Sequence, residues 1–404
     1  MVSINPIGVA VPFFFALLGI EILVARRKHR TLHRLNDSMS DLTCGMGDQL
    51  IGVFTKAIPL GIYALVESHF GLLELTTASP WLWIAAMLLV DHQYYWYHRF
   101  SHRVNLGWAT HVVHHQSEEY NLAVALRQPW FTQSYNWVFY LPLALLGIPT
   151  IVWATCYALN LLYQFWIHTR LIDRLGPLEW FLNTPSHHRV HHGVNDEYLD
   201  RNYAGILIVW DRLYGTFQAE QAEVLYGTRR PLRSWNPLWA NVEPLVHVAR
   251  LSAASKGLSE KLYALIAPPE WTPRAAEDLT KDDFMQQRAY DRDVSQVLHP
   301  YVMLHLLPVG TLMAWMLTFD QTLSTPILAT GSLAIAWAGI GWTGLFEGKS
   351  WALGSEIARH LAMVCALIGL GVAGFNLVLI APVAVLTLIS LFWLLQKKTV
   401  LQHS

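Results

Sequence analysis

Charged side chains are scarce in this sequence of 404 residues, where Asp, Glu, Lys and Arg together make up 14%. A soluble globular domain carries about 25% charged residues. The low proportion, combined with 53% hydrophobic residues, therefore favours an integral membrane protein. The formal net charge of −1 offers no basic surface of the kind that nucleic acid requires, so we expect no nucleic-acid partner.

Cysteine is also rare, with Cys44, Cys156 and Cys365 as the three examples. They are far apart in the chain, they lie in apolar contexts, and no Cys-x-x-Cys pair occurs. The sequence therefore predicts buried thiols, with neither a disulfide framework nor cysteine ligation of a metal ion.

Long apolar runs, by contrast, recur along the chain, and a membrane-spanning helix needs about 20 apolar residues. We predict a helical hairpin at residues 136–166, where Gly and Pro divide a longer run. The basic residues 26–34 place the loop after the first span in the cytoplasm. Counting crossings then puts the histidine-rich segments and the C-terminus on the cytoplasmic side as well. The other predicted spans are 4–25, 46–66, 81–97, 301–319, 326–346, 357–375 and 377–395.

Histidine is concentrated in one part of the chain, because eleven of the nineteen lie between residues 91 and 192. Nine of them form the motifs His-x-x-x-His, His-x-x-His-His and His-His-x-x-His-His. Residues three or four apart share one face of a helix, and neutral imidazole is the commonest metal ligand among side chains. The spacing therefore predicts a shared polyhistidine metal site. Its predicted ligands are His98, His102, His111, His114, His115, His187, His188, His191 and His192.

Three residues close to these motifs need separate assignments. His168 follows the hairpin on the side of the predicted metal site, so we include it among the metal residues. Asp91 lies seven residues before His98, on the same helical face, where a carboxylate can bind a metal ion or fix the tautomer of a ligand. We assign Asp91 a catalytic role. His92 lies away from that face, and we predict a structural role for it.

The number of imidazoles exceeds what one metal ion needs. A structural zinc ion takes four protein ligands, and a catalytic one takes about three. So many nitrogen ligands suit two metal ions, and nitrogen ligation with open positions favours iron for oxygen activation. The sequence alone leaves zinc open as an alternative. We therefore predict a cytoplasm-facing di-metal site that holds two iron ions.

The three histidine motifs on a membrane chain resemble the fatty acid hydroxylase/sterol desaturase superfamily of di-iron oxygenases. Longer strings are similar to the alkylglycerol monooxygenase family in particular, and the longest covers residues 183–193 (NTPSHHRVHHG). One position departs from that family, which carries an acidic residue directly after the first motif, where this chain has Arg103. The other matching strings are residues 94–99, 118–122, 125–128, 162–169, 176–179, 202–205 and 210–217.

The resemblance implies an enzyme that uses O₂ and tetrahydrobiopterin on alkylglycerol lipids within the membrane. Such an enzyme hydroxylates the carbon next to the ether oxygen, and the product then releases a fatty aldehyde and a glycerol derivative. The resemblance also implies that the histidines of the three motifs bind iron, with either His187 or His188 as the ligand at that position. The sequence shows no independent signal for a pterin pocket and identifies no electron-donor partner.

Together these observations predict an all-α, polytopic integral membrane helical bundle in three parts. Residues 1–230 form a transmembrane di-iron hydroxylase domain, residues 231–300 a polar cytoplasmic segment, and residues 301–404 a C-terminal bundle of transmembrane helices. Other functions stay open. A sterol desaturase, or a fatty-acyl or carotenoid hydroxylase of the same superfamily, leaves the carbon skeleton intact. A zinc-dependent membrane hydrolase needs neither O₂ nor a reductant, and a non-catalytic metal-binding protein forms no product.

Overall fold

The structure of the protein, a computed structural model, describes residues 6–273, 289–292, 296–374 and 376–397. Within these ranges the regular structure is helical, and the one β feature is an isolated antiparallel bridge between Leu182 and Leu207. The predicted all-α fold is therefore confirmed. Residues 398–404, which include the C-terminus predicted to be cytoplasmic, lie outside the described residues.

The α-helices follow the chain in an order close to that of the apolar runs. The first seven are α1 (Pro6–Arg27), α2 (Leu35–Thr55), α3 (Ala57–Phe70), α4 (Pro80–Arg103), α5 (Asn105–His115), α6 (Leu141–Leu145) and α7 (Thr150–Phe165). The next four are α8 (Pro185–His191), α9 (Val209–Tyr214), α10 (Pro237–Ala254) and α11 (Gly257–Ile266). The last four are α12 (Leu298–Thr318), α13 (Thr325–Phe346), α14 (Ala352–Val372) and α15 (Leu377–Gln396). Short 3₁₀ helices cover Val124–Leu126, Thr132–Ser134, Asn136–Tyr140 and Gly176–Trp180.

Local sequence explains where several of these helices begin, bend and end. Pro80 and Pro185 stand at the first positions of α4 and α8, where the missing N–H of proline costs nothing. The predicted span 46–66 corresponds to α2 and α3, which meet at a 49° bend next to Lys56. The predicted hairpin 136–166 consists of short helices and α7, which are joined by a turn at Gly147 with φ +86°. A side chain there would also collide with the backbone of Leu73.

Within the part of the chain that the structure describes, three helices are long and apolar enough to cross a membrane, namely α12, α13 and α14, and the bent pair of α2 and α3 would make a fourth. A shorter apolar stretch, Ile380–Gln396, belongs to α15. The predicted span 81–97 is helical within α4, but it is not apolar enough to be counted with them, because its second half is rich in His, Tyr and Gln. These helices and the family described below identify an integral membrane protein.

The first half of α4 lies in an apolar core that fixes the orientation of its second half. Tyr63 of α3 stacks on Trp153 of α7 with ring centroids 4.1 Å apart, and Val90 of α4 is fully buried in the same cluster. Helix α4 packs against both α7 and α5. The second half of α4, which carries His98 and His102, therefore lies directly against α5, which carries the histidines of the second motif.

The described residues divide into two compact units. The larger takes its residues from Ala16–Arg233 and Trp239–Ala289 and contains every predicted site residue. The smaller takes its residues from Met1–Phe15, Ser234–Leu238 and Tyr290–Ser404. Residues of the predicted cytoplasmic segment 231–300 occur in both units, and the division of the chain into three parts stays a prediction.

Candidate metal centre

Nine of the ten predicted metal histidines converge in two adjoining buried groups. The first group consists of His98, His102, His111, His115 and His191. The second group consists of His114, His168, His188 and His192. Within each group, one ring nitrogen from every histidine lies within 4.8 Å of the others. Either group can therefore hold one metal ion.

The paired histidines in the second and third motifs are shared between the two groups. His111 and His115 are four residues apart on α5 and enter the first group, whereas His114 enters the second. In the third motif, His188 and His192 are four residues apart and enter the second group, whereas His191 enters the first. The doublets His114-His115 and His191-His192 thus supply one imidazole to each side. The two sides touch at His115 and His192, whose ring centroids lie 4.3 Å apart.

Backbone carbonyl groups fix the tautomer of four of these rings. Carbonyl oxygens only accept hydrogen bonds, so Nδ1 carries the proton in each of these rings and Nε2 presents a lone pair. This arrangement of a ligand held through its second nitrogen is typical of metal-binding histidines. The bonds are His98 Nδ1 to Tyr203 O at 2.8 Å, His114 Nδ1 to Arg127 O at 3.0 Å, His168 Nδ1 to Gln164 O at 2.7 Å and His191 Nδ1 to Arg201 O at 3.0 Å.

The inward nitrogens lack the donors that a buried imidazole needs. Nε2 of His114 and Nε2 of His168 face each other at 3.2 Å, yet both rings have already placed their proton on Nδ1. Nε2 of His102, of His191 and of His192 is buried with no hydrogen-bond partner. Buried polar atoms are normally satisfied. A cation at each group would satisfy these lone pairs, so the residues fit a metal centre.

Burial also keeps these rings in the form that binds metal ions. It lowers the pKa of His114 to about 4, and it lowers the pKa of His192 well below the ordinary value. At neutral pH both rings are therefore neutral, as ligation requires.

Asp91 does not enter either imidazole group. Its carboxylate accepts hydrogen bonds from Asn160 Nδ2 at 2.7 Å, from the N–H of Ile206 at 2.7 Å and of Leu207 at 3.0 Å, and from Trp210 Nε1 at 2.8 Å. A Cβ on Gly205 would lie 2.9 Å from Oδ1 of Asp91, so this close approach requires glycine. Asp91 thus holds the segment that supplies the Tyr203 carbonyl to His98, and it touches no imidazole ring of the two groups.

His187 and His92 also lie outside the groups. His187 is buried, but its ring lies 5.4 Å from that of Phe217, and its Nε2 is 4.0 Å from Glu179. His92 donates to or accepts from Tyr214 Oη at 2.8 Å, which agrees with the structural role that the sequence predicted for it. His168, which stands alone in the sequence, lies in the second group as predicted.

Several supporting residues were not among the predicted site residues, although Asn202 and Asp211 lie in strings that resemble the family. Asp211 accepts hydrogen bonds from the N–H of Tyr203 and of Ala204 at 2.8 Å and holds the same loop as Asp91. Asp200 and Asn202 adopt positive φ values of 58° and 55°, on either side of the carbonyl that binds His191. Non-glycine residues rarely adopt this conformation, and it is often found at functional sites. These residues support the histidines only through tertiary contacts.

Two arginines near the centre have defined partners. Arg127 is buried and donates to Asp41 at 3.2 Å and to Ser40 at 2.8 Å, while its carbonyl holds His114. Arg103 stands at the position where the family that this sequence resembles has an acidic residue. It forms an ion pair with Asp200. An acidic side chain is therefore present beside Arg103, supplied by a distant part of the chain.

Comparisons with known proteins agree with this geometry. The fatty acid hydroxylase family matches residues 83–216, which contain all ten predicted metal histidines. No solved structure matches this chain. Alkylglycerol monooxygenase of Xenopus tropicalis is 40% identical over 302 residues, which cover 74% of this chain and 68% of that protein. Alkylglycerol monooxygenase of Danio rerio is 40% identical over 359 residues, which cover 87% and 79%.

Human alkylglycerol monooxygenase is 43% identical over 265 residues, which cover 65% of this chain and 59% of the human protein. The likeness thus extends beyond the histidine motifs to most of the chain. The chain is an oxygen-dependent oxidoreductase by this relationship, and it belongs to the alkylglycerol monooxygenase family.

Proposed function

We propose that this protein is a membrane di-iron monooxygenase that hydroxylates the carbon next to the ether oxygen of alkylglycerol lipids. The hydroxylated product would collapse to a fatty aldehyde and a glycerol derivative. The observation that carries the proposal is the pair of adjoining buried imidazole groups in a chain of this family. One metal ion could not use nine imidazoles, since even a structural zinc ion takes four.

In this proposal each imidazole group holds one iron ion. Bound iron would supply oxygen activation, which protein side chains cannot perform. The chain contributes the positioning: carbonyl groups fix the Nε2 atoms, and the buried rings exclude water from the centre. Asp91 and Asp211 act on the centre from a distance, through the loop that carries the Tyr203 carbonyl.

A monooxygenase also needs two electrons from outside the lipid. Insertion of one oxygen atom into a C–H bond reduces the other atom of O₂ to water, which consumes two electrons and two protons. The family resemblance implies tetrahydrobiopterin as the donor, and we propose a tetrahydropterin for this chain. The donor must bind close to the imidazole groups to deliver its electrons.

We further propose that the metal centre lies on the cytoplasmic side, as the crossing count from the basic residues 26–34 predicts. Thiol labelling of intact cells tests this in a Cys365→Ser background, because Cys44 and Cys156 are buried. The thiols of Lys28→Cys and Glu197→Cys should react only after permeabilisation, whereas that of Gln321→Cys, between α12 and α13, should react from outside. Reaction of Glu197→Cys in intact cells would overturn the proposed sidedness.

Lipid turnover tests the proposed activity. Membranes that contain the protein should convert a labelled alkylglycerol into fatty aldehyde, and the conversion should require O₂, iron and tetrahydropterin. A hydroxylase or desaturase of the same superfamily would leave the carbon skeleton intact, and a zinc hydrolase would work without O₂. A product with an intact carbon skeleton, activity without O₂, or active protein with one zinc ion and no iron would contradict the proposed function.

A further inference from the structure

The histidine that neither imidazole group uses lines a cavity on the other side of α8. This cavity has a volume of about 320 Å³. Ser186 and His187 line it from α8, while His188, His191 and His192 of the same helix and its C-terminal cap enter the metal centre. The cavity and the metal centre are therefore separated by one short helix.

The cavity contains two polar atoms that have no hydrogen-bond partner among the described residues, and one of them, Nδ1 of His187, is buried. Nδ1 of His187 is buried with no hydrogen-bond partner, and the residue is 2% exposed. Oε1 of Glu179 accepts hydrogen bonds from Ser186 Oγ at 2.7 Å, from Leu175 N at 3.0 Å and from Thr184 Oγ1 at 3.1 Å. Oε2 of Glu179 accepts no hydrogen bond from a described residue. It is therefore available to a ligand that donates hydrogen bonds.

Flat groups form another part of the lining. The guanidinium of Arg212 lies 3.8 Å from the ring centroid of Phe217, and the ring of His187 meets Phe217 edge-on. Trp180, which is 70% exposed, stands at the rim. Aromatic and guanidinium planes of this kind stack on flat heterocyclic rings.

The main alternative ligand is a phospholipid headgroup. The lining carries two guanidinium groups, of Arg174 and Arg212, each of which donates to a backbone carbonyl, and two carboxylates, of Glu179 and Glu220, the second of which is paired with Arg189. The flat groups of the lining favour a ring over such a headgroup. Ligand pockets range from about 300 to 1,000 Å³, so 320 Å³ fits one small ring system.

We infer that this cavity binds the two-electron reductant of the enzyme, a reduced nitrogen heterocycle with an N–H-rich edge. The edge meets Oε2 of Glu179, and the ring stacks against the flat groups around Phe217. The inference rests on the proposed function, because monooxygenation creates the need for a reductant. A substrate C–H, O₂ and the reduced heterocycle with its two transferable hydrogens give the alcohol, water and the oxidised heterocycle. His187 is covalently next to His188, so the reductant would lie close to the second imidazole group.

Equilibrium binding of tetrahydrobiopterin to the detergent-purified, iron-loaded protein without O₂ tests the inference. Glu179→Gln should weaken binding about tenfold or more, because it removes the charge from a hydrogen-bond acceptor. Iron content should stay unchanged. The matched control is Glu223→Gln, an exposed carboxylate outside the cavity, which should bind like the unmodified protein. Equal binding in Glu179→Gln, or loss of iron together with binding, would overturn the inference.

A second measurement keeps the test valid if Glu179→Gln does not fold. In a Cys365→Ser background, tetrahydrobiopterin should slow the reaction of the thiol in Trp180→Cys with a maleimide several-fold. The thiol in Glu223→Cys should react at the same rate with or without the pterin. Equal rates for Trp180→Cys with and without pterin would place the reductant elsewhere.

The alternative ligand and the proposed function are separated by further arms of the same experiment. If glycerophosphocholine protects Trp180→Cys and tetrahydrobiopterin does not, the cavity binds a headgroup and the inference is wrong. If pterin binds in a Glu179-dependent way but alkylglycerol is not cleaved, the inference stands and the proposed lipid substrate fails. If alkylglycerol is cleaved but pterin binding does not depend on Glu179, the proposed lipid substrate stands and the inference about the cavity is wrong.

Discussion

Two clusters of buried histidines occur among the described residues, one in each unit, and they differ in how their ring nitrogens are satisfied. The C-terminal polar cluster lies among α12, α14 and α15 and comprises Tyr301, His305, Glu356, Arg359, His360 and Ser390. His305 donates from Nδ1 to Tyr301 O at 2.7 Å, and its Nε2 lies 3.0 Å from Ser390 Oγ. Nε2 of His360 lies 2.8 Å from Tyr301 Oη.

Charges in the C-terminal polar cluster also balance within the cluster. Arg359 donates to both oxygens of Glu356, at 2.9 and 2.7 Å. In the metal centre, by contrast, imidazoles face one another and no carboxylate enters either group. The difference indicates function: a cluster that satisfies itself can serve packing, whereas one that leaves converging lone pairs requires a cation. Histidine number alone does not separate the two cases.

The largest expected difference between the clusters is in metal binding. His192→Ala should lose iron and reduce ether-lipid turnover by more than 100-fold, because it removes an imidazole of the second group, and loss of a mere supporting residue already costs about 10–100-fold. His305→Ala should keep its iron. Iron per folded protein and turnover should be measured on both variants at matched expression. Loss of iron from His305→Ala, with iron retained in His192→Ala, would contradict this prediction.

The second prediction concerns the stability of the C-terminal polar cluster. Glu356→Leu should lower the free energy of unfolding by about 3–5 kcal/mol, because it leaves the Arg359 guanidinium buried without its counter-ion. The double variant Glu356→Leu/Arg359→Leu should recover most of this loss. Chemical denaturation in detergent measures both, with iron content as the check. Iron loss from otherwise folded Glu356→Leu would show that the cluster serves the metal centre.

A smaller effect is expected at the carboxylate that supports the centre from outside. Asp91→Asn should reduce iron affinity about 10–100-fold, because its amide cannot accept all four hydrogen bonds that hold the loop behind His98. Asp48→Asn, a buried carboxylate that is bonded to Gln133 instead, is the matched control. Competition with a chelator gives both affinities. Equal affinities in the two variants would remove Asp91 from the support of the centre.

The smallest effect is expected for His92, which lies close to the metal helices in sequence but not in the groups. His92→Ala removes one hydrogen bond to Tyr214 and a ring contact with Trp210, so stability should fall by about 1 kcal/mol. Turnover should stay within a few-fold of the unmodified protein. A thermal melt and a turnover assay check this. Loss of iron here would refute the helical-face argument that set His92 aside.

Periodicity predicted a large part of the centre. The spacing of four residues placed His98 with His102 and His111 with His115, and each pair does enter one group. The hairpin before His168 indicated on which side that lone histidine would emerge. Spacing did not separate His187 from His188, which are neighbours on α8, a helix of seven residues, and the structure places only His188 in an imidazole group. Which face of so short a helix turns toward the metal depends on its neighbours.

The assignment of Asp91 also shows that a local sequence pattern does not identify tertiary partners. Its position seven residues before His98 correctly placed it on a buried face of α4. The residues that it contacts come from 160 and from 206–210, and no pattern within α4 indicates them. Because of this packing, Asp91 touches no imidazole ring of the two groups.

The sequence by itself determined the helices, the membrane character and the ten histidines from which the metal centre is drawn, because apolar length and the 3.6-residue period act within single segments. Only the tertiary structure decided how the doublets divide between two groups and which nitrogen of each ring faces inward. The carbonyls that fix those rings belong to residues as far as 105 positions away, as for His98 and Tyr203. Packing also turned His187 toward a separate cavity. A contact between distant segments depends on how helices assemble, and no local pattern encodes it.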